Sequence, residues 1–432
     1  MPVARQAGEI RARWAWAEEC VWTDRMLTAL ENGVKGGKWF SLVDKVCSYD
    51  NLSASFEKVR ANKGAAGMDH VSVEMFEARL DENLRDLVRE LKEGAYRPRP
   101  VRRVWIPKPG SKELRPLGIP TVKDRVVQGA LRQTLEPIFE RDFSEYSCGF
   151  RPGRGAKDAL RRVDGLLHAG YVFAVDADLK GYFDSIPHDR LLAKVAEKVS
   201  DGRVLELVDL FLHQNVLDGE EETNPLAGTP QGAVLSPLLA NLYLDPLDHL
   251  AAARGYEMTR YADDFVILCR SREEADAALT MVREWTQAAG LVLHPEKTHI
   301  VDAREKGGFD FLGYHFERGY KWPRKKSLDR LKDFVRSKTR RCNGHSLKRV
   351  VDELNRTLRG WFEYFKHSIK YTFSDLDGWI RGRLRSILRK RRGGEGRGRG
   401  KDHQRWPNAF FADLGLFSLK AAHRAACRSS RR

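Results

Sequence analysis

Residues 256–270 read YEMTRYADDFVILCR, and this stretch decides the fold. Apolar residues on both sides of Tyr261-Ala-Asp-Asp264 predict two buried strands joined by a tight turn. The turn sets two adjacent carboxylates, Asp263 and Asp264, at the tip of the hairpin, where they repel each other. Only Arg260 lies close enough in sequence to offset part of that repulsion. A bound Mg²⁺ ion would remove the conflict because it prefers hard oxygen ligands, although an aspartate-rich turn is common by itself.

A second carboxylate site follows another predicted strand, YVFAVDA at 171–177. Asp176 and Asp178 point to the same side of that strand because side chains alternate with a period of two. If this strand lies beside the hairpin in an antiparallel sheet, aspartates from two places in the sequence meet. Such a cluster suits phosphoryl transfer with two metal ions, in which one ion activates the attacking hydroxyl and the other neutralises the leaving group.

The rest of the pattern predicts an α+β fold that ends in helices. Short strands within 101–119 flank a turn at 109–112 and form a hairpin, and a helix follows over about 121–139. Another helix is predicted to begin with Ser236 as its N-cap and the following proline in the first helical position. After Gly319 the chain becomes helical and basic.

Positive charge is concentrated in one segment. The 432-residue chain has a formal net charge of +16, and residues 318–401 alone hold 27 lysine and arginine residues against 8 aspartate and glutamate residues. The segment therefore carries +19, which leaves −3 for the rest of the chain. An excess this large and local indicates a surface that binds a polyanion such as a nucleic acid, whereas one short basic run would more simply be a solvated helix face.

Cysteine usage and hydropathy exclude several other classes. The six cysteines show neither CxxC pairs nor a metal-ligand spacing with histidine, so we expect free thiols in a reducing cytoplasm and no zinc site. The sequence has no run of about 18 apolar residues that could span a membrane, and its charged N-terminus is unlike a signal peptide. We therefore expect a soluble, non-exported protein with no membrane partner.

Eight sequence blocks occur in the order and spacing of group II intron reverse transcriptases, and the chain resembles that family over residues 15–392. The blocks are NKGAAGMD at 62–69, IPKPGSKELRPLGIPTVKDRVVQ at 106–128, SCGFRPGRGAKDAL at 147–160, DLKGYFD at 178–184, GTPQGAVLSPLLANLYL at 228–244, YADD at 261–264, LHPEKT at 293–298 and GGFDFLGYHF at 307–316. Downstream, LNRTLRGWFEYFK at 354–366 and LDGWIRGRLR at 376–385 resemble the maturase-specific thumb of the same family.

The resemblance implies a right-hand polymerase with fingers and an antiparallel-sheet palm, followed by an all-helical thumb, or maturase domain. It divides the chain into an N-terminal helical extension at 1–51, fingers and palm at 52–317, a thumb at 318–392, and a Gly/Arg linker with a short C-terminal element at 393–432. Longer family members carry a zinc-containing endonuclease after the thumb. The tail here is too short for one and lacks paired cysteines, so we do not expect DNA nicking.

The implied activity is RNA-directed DNA synthesis with two Mg²⁺ ions. Its partners would be an RNA template, a DNA primer and deoxynucleoside triphosphates (dNTPs). Binding of the intron RNA, to assist splicing and mobility, is also implied by the resemblance. The implied location is a bacterial cytoplasm, in association with the nucleoid.

Residue by residue, the resemblance assigns the metal ligands to Asp178, Asp263 and Asp264. Phe183 would block the 2′-hydroxyl of a ribonucleotide, although an aromatic residue there would by itself more simply belong to the core. The other residues with an implied role are Lys108, Arg115 and Gln231 at the incoming nucleotide, and Arg151, Arg154, Lys325 and Lys326 at the template or bound RNA.

Two other interpretations stay open. A reverse transcriptase of a defence, CRISPR-associated or retron system would share the polymerase blocks, but the thumb blocks favour the intron class. A splicing factor that binds RNA without polymerising would share the thumb. Degenerate maturases lose the aspartates, however, and all three are present here.

Overall fold

The computed structural model describes residues 3–107, 114–342, 344–398 and 400–429, without the side chains of residues 3–7, 35 and 429. Within these residues no helix is both long and apolar enough to cross a membrane. The helices are α1 Val3–Arg13, α2 Asp24–Asn32, α3 Val43–Val46, α4 Tyr49–Asn62, α5 Val73–Glu77, α6 Leu80–Glu93, α7 Val122–Glu140, α8 Ala156–His168, α9 Tyr182–Ser185, α10 His188–Ala196, α11 Gly202–Leu212, α12 Ser236–Ala253, α13 Arg272–Ala288, α14 Lys325–Lys338, α15 Leu347–Phe365, α16 Lys370–Arg391, α17 Lys401–Arg405, α18 Asn408–Asp413 and α19 Leu419–Ser429. The strands are β1 Val101–Pro107, β2 Leu114–Ile119, β3 Phe173–Ala177, β4 Val216–Asp218, β5 Glu221–Thr223, β6 Glu257–Tyr261, β7 Asp264–Cys269, β8 His299–Asp302, β9 Phe309–Phe311, β10 Tyr314–Glu317 and β11 Tyr320–Pro323.

The hairpin predicted within 101–119 is confirmed. β1 and β2 pair antiparallel, with Ile106 opposite Arg115, in a sheet of order β2-β1-β4-β5. The turn of this hairpin, and with it Lys108, lies outside the described residues. The helix predicted after it is α7, and the hydroxyl of Thr121 caps that helix by accepting a hydrogen bond from the backbone of its first turn.

A four-stranded sheet of order β6-β7-β3-β8, which we call the central sheet, contains the hairpin of residues 256–270. β6 and β7 form the predicted antiparallel hairpin, with Tyr261 opposite Asp264. The residues from Phe265 to Cys269 are at most 1% exposed, so β7 is buried on both faces. β3 lies beside β7, which is the neighbourhood that the sequence predicted for the two carboxylate sites. The predicted α+β class is confirmed.

The start of α12 differs from the prediction by one residue. The N-cap is Leu235, and Ser236 is already the first helical residue. The hydroxyl of Ser236 donates to the backbone carbonyl of Pro230 at 2.9 Å and does not cap the helix. The serine therefore ties the loop before α12 to the beginning of the helix.

The chain divides into two compact units, one formed by residues 1–166 and 175–300, the other by 167–174 and 301–432. One hydrophobic core of the second unit is built mainly from helices and reaches to the C-terminal helices, because Trp406, Phe411 and Leu419 are buried in it. The C-terminal element is therefore longer than the short apolar segment expected from the sequence: it consists of α17, α18 and α19. The predicted division into four domains stays a prediction.

Candidate active site

The tip of the β6–β7 hairpin is a two-residue turn formed by Ala262 and Asp263. Ala262 has a φ of +59°, in the left-handed region, whereas Asp263 has an ordinary negative φ. Turns with positive φ match the twist of two paired strands, but the left-handed conformation costs an L-residue roughly 1–2 kcal/mol. Contacts with the surrounding chain must therefore hold the tip in place.

Arg260 is the main support of the tip, and its side chain is 0% exposed. Its guanidinium donates to both carboxylate oxygens of Asp248 and, at 2.9 Å each, to the side-chain carbonyl of Asn241 and the backbone carbonyl of Ala262. Arg260 offsets part of the negative charge at the tip, as expected, because it lowers the pKa of Asp263, and it also forms a buried ion pair with Asp248. Asn241 and Asp248 were missed because they come from α12, 12 or more residues away in sequence.

The loop that holds Gly149 presses against the other side of the tip. The backbone N–H of Cys148 donates to the carbonyl of Arg260 at 2.8 Å, and Asn241 donates to the carbonyl of Gly149 at 2.7 Å. A Cβ atom at Gly149 would lie 2.8 Å from the carbonyl carbon of Tyr261 and would clash with the backbone nitrogen of Ala262. Only glycine allows this approach, so residue 149 and the tip form one packed unit.

Asp178 follows β3 directly and is contacted by Lys297. The Lys297 ammonium lies 2.8 Å from Oδ2 of Asp178, and the backbone carbonyl of Asp178 accepts a hydrogen bond from the N–H of His294 at 2.7 Å. The segment LHPEKT therefore returns to the end of β3 and fixes it. Lys297 belongs to a sequence block quoted above, but nothing in its local pattern indicated this ion pair.

The electrostatics of Asp263 show that carboxylates from the two sequence sites lie close together. Burial raises the pKa of Asp263, and the negative charge of Asp178 raises it further, whereas Arg115 and Arg260 lower it. Arg115, on β2, thus acts on the same site as the two aspartates. The surplus of hard, negatively charged oxygens fits a divalent cation, which would favour the ionised form of Asp263.

The described residues nevertheless contain no group of three or more His, Cys, Asp or Glu side chains already arranged to hold a metal ion. Asp178 instead contacts the ammonium of Lys297, a positive charge supplied by the chain itself. The assignment of Asp178, Asp263 and Asp264 as metal ligands stays a prediction.

Phe183 and Gln231 are joined to the site by backbone hydrogen bonds. The N–H of Thr229 donates to the carbonyl of Phe183 at 2.6 Å, and the N–H of Gly118 donates to the carbonyl of Gln231 at 2.7 Å. The half-buried Phe183 ring lies edge-on to Tyr182, with ring centroids 5.6 Å apart. The loop of Gln231 thus bridges Phe183 and β2, although the roles of these two side chains stay predictions.

The four basic residues predicted at the template or RNA are in different environments. The side chain of Arg151 is 2% exposed and forms an ion pair with Glu140 at 2.8 Å, while it also donates to the carbonyls of Ser144 and Ser147. Its donors are used within the protein, where Arg151 holds the loop, and its contact with the template stays a prediction. The remaining three, Arg154, Lys325 and Lys326, are exposed, and their roles stay predictions.

Two family models match the chain, one after the other. The model for reverse transcriptase (RNA-dependent DNA polymerase) matches residues 106–316, and the model for the group II intron maturase-specific domain matches residues 328–406. In a solved structure of telomerase from Candida albicans with a TWJ fragment of telomeric RNA, one chain aligns with a TM-score of 0.41 and 14% identity, covering 75% of this chain and 65% of that one. That similarity is too low to say more about this chain.

Two curated relatives are similar to parts of the chain. Group II intron-encoded protein LtrA of Lactococcus lactis subsp. cremoris is 39% identical over 201 residues, which cover 46% of this chain and 33% of LtrA. The match thus spans about a third of that relative. Protein YkfC of Escherichia coli (strain K12) is 33% identical over 302 residues, covering 60% of this chain and 78% of YkfC. The chain belongs to the family of group II intron reverse transcriptases with a maturase domain.

Proposed function

We propose that this protein is the RNA-directed DNA polymerase of a group II intron. It would add deoxynucleotides to the 3′-hydroxyl of a primer on an RNA template. The observation that carries the proposal is the position of β3 beside β7, which brings Asp178 close enough to Asp263 for its charge to raise the pKa of Asp263, with Arg115 acting on the same site. Membership of the family implies a polymerase that depends on divalent metal ions, and we propose that the ions are two Mg²⁺.

The residues of the chain have separable tasks in this reaction. Asp178, Asp263 and Asp264 would hold the metal ions, with the tip fixed by Arg260 and the end of β3 fixed by the bond from His294. When bound, such ions supply activation of the primer hydroxyl and neutralisation of charge on the triphosphate. Arg115 would bind the triphosphate, because a guanidinium offers several donors to a charge spread over many oxygens. Gln231 would line the nucleotide pocket.

We propose that the second unit provides a surface that binds the template–primer duplex and the intron RNA. The segment 318–401 carries a net charge of +19, and residues 328–406 match the maturase-specific model. Contacts of lysine and arginine with phosphates position a nucleic acid without reading its sequence. Arg154, Lys325 and Lys326 are exposed and available for such contacts. Assistance to splicing would follow from binding the folded intron.

The test of the polymerase proposal is extension of a DNA primer on an RNA template by the wild-type protein. We expect DNA synthesis with dNTPs and Mg²⁺, its loss when a chelator removes divalent ions, and its recovery when excess Mg²⁺ is restored. Absence of extension at every Mg²⁺ concentration would overturn the proposed activity. Incubation of the protein with RNA alone, followed by gel shift, reports separately on the RNA-binding part of the proposal.

Phe183 gives a prediction about sugar selection. Replacement by alanine should raise the relative incorporation of ribonucleotides by roughly 5- to 150-fold, because relief of overpacking around an added group is worth about 1–3 kcal/mol. The measurement is kcat/KM for a ribonucleotide and for its deoxy counterpart with the same template. A purely structural aromatic residue would lower both values in parallel, and an unchanged ratio would refute the assignment.

A further inference from the structure

Two adjoining cavities in the second unit share the exposed ring of Tyr371. The first, which we call the aromatic cavity, has a volume of about 450 Å³. Its aromatic walls are Trp322, Tyr371 and Trp379. The second, which we call the basic cleft, has a volume of about 540 Å³ and lies between α16 and α19. Its charged walls are Lys370, Lys420, Arg424 and Arg428, with no acidic residue among the residues that line it.

The aromatic cavity has the size and the walls of a site for one flat ring. Small-molecule sites typically measure about 300–1,000 Å³ and combine apolar walls with a few polar groups. Here the polar groups are the carboxylate of Asp375, the hydroxyl of Thr372 and the ammonium of Lys332. Together they offer both acceptors and donors of hydrogen bonds, as the edge of a nucleobase requires. Because the remaining walls are apolar or aromatic, the cavity suits a base better than a phosphate.

The basic cleft has the opposite preference. Lys420, Arg424 and Arg428 recur every four residues along α19, so they form one stripe about 12 Å long. None of these three, nor Lys370, forms an ion pair with another residue in the described part of the chain. Some exposed cations elsewhere in this unit are paired, as in the bond from Lys348 to Asp352 at 3.0 Å. Uncompensated charge along a cleft attracts a polyanion.

Helix α19 is fixed in place as one wall of this cleft. Its first N–H groups, on Leu419 and Lys420, donate to the carboxylate of Asp377 at 3.0 and 3.2 Å. Ala422 and Ala426 pack against the core of the unit from the side opposite the stripe. The helix also lies beyond residue 406, where the match to the maturase-specific model ends. The site is therefore partly built from a segment that the matched family models do not include.

We propose that the aromatic cavity and the basic cleft together bind one unpaired nucleotide of a nucleic acid, with its base in the cavity and its phosphates along the cleft. Only an unpaired base can leave its stack and lie against aromatic side chains, and such bases are what proteins recognise in folded RNA. The proposal rests on the proposed function in one respect, namely that the ligand is a nucleic acid. RNA and single-stranded DNA share this chemistry, and the experiment separates them.

The decisive variant is Tyr371→Ala, with Tyr320→Ala as the matched control. Both tyrosines are 63% exposed, but Tyr320 lines neither cavity. The probes are a fully paired RNA hairpin, the same hairpin with one bulged 2-aminopurine, and the DNA counterpart of the bulged hairpin. We expect Tyr371→Ala to weaken binding of the bulged probe by roughly 5- to 150-fold, since stacking of one base is worth about 1–3 kcal/mol. Binding of the paired hairpin should change less than about 2-fold.

The proposed binding of phosphates in the basic cleft is tested by the triple variant Lys420→Gln, Arg424→Gln, Arg428→Gln. The slope of the logarithm of the binding constant against the logarithm of the salt concentration should become shallower in the variant. The expected change is about 0.9 for each phosphate that is no longer neutralised, so about 2 to 3 in total. The matched control removes the cation at the N-cap of α6 and two cations within that helix by Arg79→Gln, Arg85→Gln and Arg89→Gln, all exposed and each ion-paired. An equal change of slope in both triples would overturn the cleft assignment.

A measurement on the wild-type protein avoids substitutions altogether. Cys427 is an exposed thiol that lines the basic cleft, and Cys20 is an exposed thiol elsewhere in the chain. The bulged probe should slow alkylation of Cys427 at least about 5-fold while leaving the rate at Cys20 unchanged. Equal rates at Cys427 with the bulged and the paired probe would overturn the proposal.

The outcomes distinguish this proposal from the proposed function. If the wild-type protein neither binds RNA nor extends a primer, the proposed function fails and this inference fails with it. If it does both but Tyr371→Ala behaves like Tyr320→Ala, only the nucleotide site is refuted. A larger loss of affinity for the bulged RNA than for the bulged DNA identifies RNA as the source of the nucleotide. Equal losses of affinity identify a site for any unpaired strand.

Discussion

Asp263→Asn should abolish primer extension, lowering kcat/KM by about 1,000-fold or more, while the protein stays folded. An amide keeps the shape of the side chain but loses the charge that would hold a divalent ion. Metal ions stabilise such transition states by several kcal/mol, and each 1.4 kcal/mol corresponds to about tenfold in rate. Extension within about fivefold of the wild-type value would contradict the assignment of Asp263.

The same variant should be at least as stable as the wild type in a buffer without divalent ions. Burial and the charge of Asp178 raise the pKa of Asp263, which means that folding disfavours its ionised form near neutral pH. A neutral amide removes that penalty. The measurement is urea denaturation beside the activity assay. The matched control is Asp276→Asn, an exposed aspartate paired with Arg272 on α13, which should leave activity unchanged.

Asp248→Ala should lower the free energy of unfolding by about 3–5 kcal/mol, because it leaves the buried charge of Arg260 without its counter-ion. That decrease is a large part of the 5–15 kcal/mol that typically separates folded from unfolded proteins. The measurement is chemical denaturation followed by circular dichroism. The matched control is Asp142→Ala at the exposed pair of Asp142 and Lys198, where the decrease should stay below about 1 kcal/mol.

The double variant Arg260→Met, Asp248→Leu separates stability from activity. Replacing both partners of a buried ion pair by apolar residues is often neutral, so much of the stability should return. Activity should not return, because methionine cannot donate to the backbone carbonyl of Ala262. Full recovery of primer extension in the double variant would show that Arg260 does not position the tip.

The elements that could be predicted from sequence are those with a strong local period. The hairpin at 256–270 has apolar residues on both sides of a tight turn, and β1, β2 and α7 have equally clear local signals. The meeting of Asp178 with Asp263 needed one further assumption, that β3 lies beside β7, which the sheet order confirms. The local sequence pattern and the order of the sequence blocks were thus sufficient to predict the fold and the position of the candidate site.

The contacts that support the site could not be predicted, because they join residues distant in sequence. Asp248 on α12 reaches Arg260, and Lys297 reaches Asp178 across 119 residues. The ion pair of Arg151 was missed for the same reason: its glycine-rich loop indicated exposure, while Glu140 at the end of α7 provides a buried partner. Helix α19 was missed because its apolar face consists largely of alanines, which give a weak hydrophobic signal amid many basic residues.

The close approach of Gly149 to Ala262 limits how this protein can evolve. A larger residue at 149 would push into the backbone of the tip, and a β-branched residue at 262 would resist a φ of +59°. A substitution at only one of these two positions would therefore shift Asp263. We therefore expect accepted changes at the two positions to be correlated, and laboratory selections for new templates or nucleotides to alter the walls around the tip before the tip itself.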